Sequence, residues 1–138
     1  VLFTRFALRE GSGGPGERRG GFGVDYEIEI LRGDARACFV MDHGRYGPQG
    51  ALGGLDGAPN PIAIHRGGET YIPDHFSKDQ GTHVSSGDRI DVQTPGGGGF
   101  GDASKRSPAD IARDVAMGYY TAEQAREWYG VTIDAAAE

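Results

Sequence analysis

The sequence predicts a β-rich α+β fold: a small β-sheet domain with long glycine-rich loops, followed by a short C-terminal helical hairpin. Three observations predict it. Apolar and polar residues alternate in several short runs, the signature of half-buried strands. Glycines crowd into two clusters, residues 9–23 and 94–102, that bracket those runs. Helix start and stop signals gather only at the end of the chain. The reading divides the chain into a glycine-rich β domain over 1–106 and a hairpin over 107–138, packed on it as one structural unit.

The elements follow in order. Residues 1–8 carry Phe3, Phe6 and Leu8 in a loose alternation and read as a strand. Residues 10–23 are the first glycine loop, with Pro15, Arg18 and Arg19. Residues 24–31 alternate cleanly: Val24, Tyr26, Ile28 and Ile30 on one face, Asp25, Glu27 and Glu29 on an acidic outer face. Arg32, Gly33 and Asp34 suggest a turn into a strand over 35–41, so the two strands are expected to form a hairpin. Residues 43–60 are punctuated by Gly, Pro and Asn and read as an irregular connection. Short strands are expected at 61–65 and 69–72, an irregular polar stretch at 74–86, and a strand at 89–94 with Ile90 and Val92 inward. The second glycine loop follows.

The tail changes character. Ser107 suits an N-cap, Pro108 the first helical position and Asp110 the first turn, with Gly118 as the stop. Ile111 and Val115 form the apolar stripe, and Arg113 and Asp114 are expected on the solvated face. Thr121 and Gln124 can close a capping box on a second helix that ends at Gly130. Ala125, Trp128 and Tyr129 face inward, and residues 131–133 could add an edge strand.

Composition bounds the function. The net charge of −6 lacks the basic face that nucleic-acid binding needs. No stretch is long and apolar enough to span a membrane. The single cysteine, Cys38, excludes an internal disulfide framework, reads as a small buried residue, and fits a reducing compartment. With 25 glycines diluting a modest apolar content, the domain is expected to bury part of its surface against another polypeptide.

The candidate sites are few. Arg9, Arg18 and Arg19 flank the first glycine loop and are the residues to examine for a bound phosphate or carboxylate. The second loop, PGGGGFGD, superficially suits a phosphate cradle. It lacks the lysine and hydroxyl of a P-loop and the spacing of a dinucleotide fingerprint, so a close-packed structural turn is the stronger reading. His43, His75 and His83, with Asp42, Asp74 and Asp79 nearby, are the metal candidates, although none has zinc-motif spacing. No nucleophile–base order emerges, and no catalytic residue is assigned.

Three segments together resemble one family. FALREGSGGPGERRGGFGVDYEIEI (6–30), GDRIDVQTPGGGGFGDASKR (87–106) and DIARDVAMGYYTAEQAREWYGVTI (110–133) are similar, in this order, to motifs of the hydantoinase B/oxoprolinase family. Ala103, in place of a usual proline, and Tyr119-Tyr120, in place of a smaller pair, depart from the pattern. The resemblance implies the C-terminal part of a hydantoinase B-like subunit. It further implies an obligate hetero-oligomer with a larger hydantoinase B-like subunit and a hydantoinase A-like ATPase subunit, in the cytoplasm. ATP and a divalent metal (Mg, Mn or Zn) would act in the complex, with no cofactor expected on this chain. The activity it implies first is biotin-independent carboxylation of a ketone such as acetone or acetophenone, a ligase reaction in which this chain is mainly structural and inactive when isolated. The alternatives are a cyclic amide hydrolase acting on hydantoin, 5-oxoproline or a lactam, and a non-enzymatic β interaction module.

Overall fold

A computed structural model describes residues 1–133. The last five residues of the expected hairpin segment lie outside the described residues. Seven strands precede two helices: β1 (Leu2–Leu8), β2 (Val24–Glu29), β3 (Asp34–Val40), β4 (Ile62–Arg66), β5 (Glu69–Tyr71), β6 (Lys78–Ser85), β7 (Arg89–Gln93), α1 (Pro108–Ala116) and α2 (Ala122–Tyr129). The fold is the β-rich α+β domain that the sequence predicts. No described helix is long and apolar enough to cross a membrane.

The strands form two antiparallel sheets, one ordered β1-β2-β7-β4-β5 and one made of β3 and β6. Cross-strand register explains how they pack. Tyr26 sits opposite Val92 and Ile28 opposite Ile90, while Val92 and Ile90 also face Ile62 and Ile64. These side chains line one face of the larger sheet, and Phe39 and Val84 of the smaller sheet close over its centre. Residues between them on the same strands point the other way and, Ala63 apart, are polar. Arg5 bridges Asp25 and Asp91 at 2.8 and 2.7 Å, and Arg89 reaches Glu27 at 3.4 Å. The large sheet therefore has one apolar face and one ionic face.

Five sequence expectations change here. β2 and β3 do not pair with each other. β2 lies between β1 and β7, and the chain crosses at Ile30 into the smaller sheet, where β3 pairs with β6. Ile30 is fixed at that crossing by backbone bonds to Asp88 and Gly87, so the Gly33 turn serves a sheet change. The polar stretch 74–86 contains β6, whose outer positions are exposed, so Val84 is its one fully buried side chain. Cys38 is exposed, because Phe39 takes the inward position next to a register shift in β3. Glu27 is buried, not outward in water: Thr4 covers it with a hydroxyl bond of 2.7 Å. Residues 131–133 form no strand, and Val131 and Ile133 pack on the helices instead.

Between the strands and the helices lies a core made of backbone. Residues 12–23, 47–58 and 94–101 run against one another as extended segments. A Cβ built on Gly14, Gly20, Gly54, Gly96 or Gly99 would come closer than 3.0 Å to backbone atoms of a neighbouring segment. Real side chains do not reach that proximity, so only glycine fits. Hydrogen bonds run through this layer: Gly14 N to Gly97 O (2.8 Å), Gly97 N to Gly21 O (2.9 Å), Leu55 N to Pro15 O (2.8 Å) and Gly99 N to Leu55 O (2.8 Å). The sequence's irregular 43–60 connection thus supplies one of the three segments of a packed layer, with 94–101 bonded to both of the others.

The helices cap as their signals require. Ser107 accepts from Asp110 N, and Thr121 and Gln124 form the reciprocal capping box. Ile111, Tyr120, Ala125 and Tyr129 make a second small core.

Neighbouring glycines provide the test. Gly20→Ala drives a methyl into the Gly97 carbonyl, and overpacking against backbone costs about 3 kcal/mol or more. Gly21→Ala meets nothing within 4 Å and should be neutral or stabilising, by up to about 1 kcal/mol. Urea midpoints of protease resistance, read on the chain in its assembled form, distinguish the two variants. Equal midpoints would remove close packing as the reason for the glycines.

Candidate functional site

The arginines singled out by sequence border the glycine layer. Arg9 inserts a guanidinium among the carbonyls of Pro59, Thr94 and Gln93, at 2.5, 3.1 and 3.4 Å. Burial pushes its pKa down, with Asp25 and Asp91 opposing that effect. Arg19 sits over the adjoining rings of Phe22 and Tyr119, at 4.3 and 5.1 Å, and donates from Nε to Asp114 Oδ2 at 2.8 Å. Arg18 has an exposed side chain, while its backbone pairs with Phe100. The three arginines do not converge on one point. Arg9 ties the layer to the strands, and Arg19 ties it to the helices.

Asp114, expected on the solvated face of α1, is the buried charge that the sequence reading missed. The i, i+3 and i+4 pattern with Ile111 and Val115 puts it beside the apolar stripe, and it is fully buried rather than solvated. Its Oδ2 accepts from Arg106 Nη2 at 2.6 Å and Tyr120 OH at 3.2 Å, besides Arg19. Arg106 also reaches back to the Glu17 carbonyl at 3.2 Å. Burial alone would raise the Asp114 carboxyl; Arg19 and Arg106 outweigh it and hold the group below the usual carboxylate range. Burial, with Tyr129 and Asp114 beside it, drives the Tyr120 phenol strongly up, so it stays a donor. The signal available in sequence was the coincidence of Arg19, Arg106 and an acid on an otherwise apolar helical stripe.

The second glycine loop has no free cradle of amides. Gly96, Gly97, Gly99, Phe100 and Gly101 donate to Ala58, Gly21, Leu55, Arg18 and Ala51. A phosphate-binding loop needs such donors aimed at the ligand. Here they hold the layer together, which agrees with the structural reading of PGGGGFGD. The residues of this loop do not fit a nucleotide phosphate.

The histidines stay apart. His43 and His75 are exposed, and each offers its carbonyl to the backbone, to Asn60 and Ser77. His83 Nε2 lies 3.3 Å from Asp34, and Asp42 pairs with Lys78. Asp79 instead accepts from Tyr71 at 3.0 Å and from Thr82. Among the described residues, no group of three or more His, Cys, Asp or Glu side chains could hold a metal ion.

What the chain leaves exposed is apolar. Phe6 is 70% exposed and Leu8, Phe3 and Leu2 about half, all on β1; Leu52, Leu55 and Phe100 protrude from the glycine layer.

Comparison with known proteins places this geometry. The sequence model of the hydantoinase B/oxoprolinase family matches residues 1–103. The beta subunit of a caprolactamase from Pseudomonas jessenii is 37% identical, over 97% of this chain and 23% of its own length. The B-type subunit of a putative D-/L-hydantoinase from Pseudomonas sp. (strain NS671) is 33% identical, over 94% of this chain and 22% of its own length. The crystal structure of the ATP-dependent caprolactamase superposes on 99% of this chain and 24% of its own, with TM-score 0.81 and 30% identity. The nucleotide-free acetone carboxylase shares the fold, with TM-score 0.82 at 23% identity, over 98% of this chain and 22% of its own. The chain therefore spans less than a quarter of the length of these relatives.

The Asp114 cluster yields a signed prediction. Its carboxyl has a lower pKa folded than unfolded, so its stabilising effect is complete above the unfolded value, about 3.9, and fades as pH falls through the folded value. Asp114→Asn leaves Arg106 buried without its counter-ion and should weaken helix docking by about 3 kcal/mol. Proteolysis between residues 104 and 121 of the assembled chain should then accelerate roughly a hundredfold at neutral pH, with the Asp114-dependent acid sensitivity lost. An unchanged cleavage rate would show that the cluster does not hold the tail.

Proposed function

The chain belongs to the hydantoinase B/oxoprolinase family, and from that premise we propose that it is a small, mainly structural part of an ATP-dependent complex. One observation carries this reading. Nearly all of the chain aligns with less than a quarter of a caprolactamase subunit, while its own first strand leaves its apolar side chains in water. Such a surface is normally an interface. The glycine loops, Arg9 and Arg19, which resemble binding machinery, are engaged in holding the fold, and the exposed Arg18 does not converge with them, which supports a scaffolding role rather than catalysis by this chain. Its partners in this reading are the larger part of a hydantoinase B-like subunit and a hydantoinase A-like ATPase subunit. ATP and a divalent metal belong to those partners.

For the reaction, ATP-dependent opening of a cyclic amide has the support of the caprolactamase and hydantoinase relatives, at 37% and 33% identity. Ketone carboxylation, the reading that the sequence placed first, is supported by the fold shared with acetone carboxylase.

Expressed alone, the chain should aggregate or lack a cooperative thermal transition; co-expressed with the larger subunits it should be soluble and co-purify with them. The purified complex should hydrolyse ATP when given a lactam, hydantoin or 5-oxoproline. ATP hydrolysis that requires a ketone and bicarbonate would reverse the order of the two reactions. A stable monomer with no partner would overturn the scaffold reading.

A further inference from the structure

The two sheets are unequal, and the mismatch has a direction. The large sheet has five strands and its cover has two. β6 lies towards the β4–β5 end: Arg66 of β4 donates to the His83 carbonyl, and Tyr71 of β5 donates to Asp79 at 3.0 Å. β3, on the other side of β6, consequently faces the β2–β1 end. There the cover stops. Under it, Ile62, Ile64 and Val92 are 1% exposed. Beyond it, on the same apolar face, the exposed Phe3 and Phe6 form an aromatic cluster, at centroid separations of 6.0 to 6.2 Å, with Tyr26, which packs at the margin of the covered core. Register confirms the face, since Phe6 sits opposite Tyr26 and Leu8 opposite Val24.

Two unsatisfied features thus lie side by side. β3 has one edge with no strand beside it among the described residues, and alternate backbone groups of an edge strand point outward. Next to that edge lies an apolar area with nothing over it. A single element satisfies both: a strand that hydrogen-bonds to β3 and turns apolar side chains down onto Phe3, Phe6 and Tyr26. Neighbouring strands lie about 4.8 Å apart, so each added strand carries the cover one strand further towards β1.

We propose that the β3 edge is extended by β-strand from the larger part of a hydantoinase B-type subunit, which completes the smaller sheet over the Phe3–Phe6–Tyr26 face. This rests on the scaffold reading above. The occupant follows from length: over three quarters of each relative's chain has no counterpart here, so a large polypeptide is available to supply strands. The opposite face of β1 and β2 is ionic, held by Arg5 between Asp25 and Asp91, and does not call for an apolar cover.

The test uses the assembled complex. p-Benzoylphenylalanine in place of Phe6 is photolysed, and the cross-linked peptide is identified by mass spectrometry. In parallel, hydrogen exchange is measured on the unmodified complex. The expected result is a cross-link to hydantoinase B-type sequence outside this chain, in a segment of alternating apolar residues. The amides of β3 should exchange as slowly as those of β7, which is paired on both sides. If the complex forms but alternate β3 amides exchange at least about tenfold faster than those of β7, the edge is free and the proposal fails while the scaffold reading stands. A cross-link to a second copy of this chain, or to the ATPase subunit, overturns the proposed occupant. Failure of any complex to form overturns the scaffold reading and the proposal with it.

Discussion

The close approach of three backbone segments is the constraint on which the rest of this structure depends. Where a Cβ built on Gly20 would enter the Gly97 carbonyl, and one on Gly96 the Ser12 carbonyl, there is no interior in the ordinary sense. Segments meet through amides, carbonyls and Cα atoms. Packing at that distance gives dispersion contact and short hydrogen bonds without apolar side chains. It also carries the conformational cost of ordering many glycines, which a larger apolar core would normally offset. Here the apolar cores are two small clusters, one between the sheets and one among the helices. The glycine layer joins them.

That layer also decides which chemistry is possible. A phosphate cradle and a structural glycine web have the same composition and differ in where the N–H groups point. In this chain they point at carbonyls of the neighbouring segments. The arginines follow the same logic. Arg19 satisfies a buried carboxylate and stacks on two rings, a combination that suits a planar guanidinium and not a lysine. A buried ion network such as Asp114 with Arg19 and Arg106 adds little net stability over a well-packed apolar alternative, but losing one member is costly. Its consequence here is positional: it ties the helices to the glycine layer through Arg19 and through Arg106, which also reaches the Glu17 carbonyl.

Much of this was legible in sequence, for identifiable reasons. The capping box at Thr121 and Gln124, the Ser107-Pro108 start and the alternation of residues 24–31 are local signals with local causes, and the helices and β2 formed where they indicate. The glycine clusters announced backbone proximity, though not which segments would meet. What failed depended on distant partners. β2 and β3 are adjacent and separated by a plausible turn, yet β2 already has two neighbours, so β3 had to leave the sheet. β6 is polar because its outer face is in water, and polarity concealed its alternation. Asp114 looked solvated because its counter-ions lie 95 and 8 residues away.

The same comparison explains why no active residue emerged from either reading. Catalytic groups stand out when burial, strain or a neighbouring charge perturbs them without a structural reason. The buried charged groups here each have one: Asp88 accepts from Arg66 and Ser85 N at a turn, Glu27 from Thr4 and Arg89 within a sheet, and Asp114 from the residues that dock the tail. What lacks an internal explanation is apolar and lies outside: the aromatic row of β1, near a β3 edge that no strand pairs among the described residues. Among the described residues only Asn60 Oδ1 and Arg106 Nε are buried side-chain polar atoms without a partner, so the bare oily face is the larger unmet demand, and it favours completion by another segment of protein. That asymmetry supports the scaffolding role proposed for this chain.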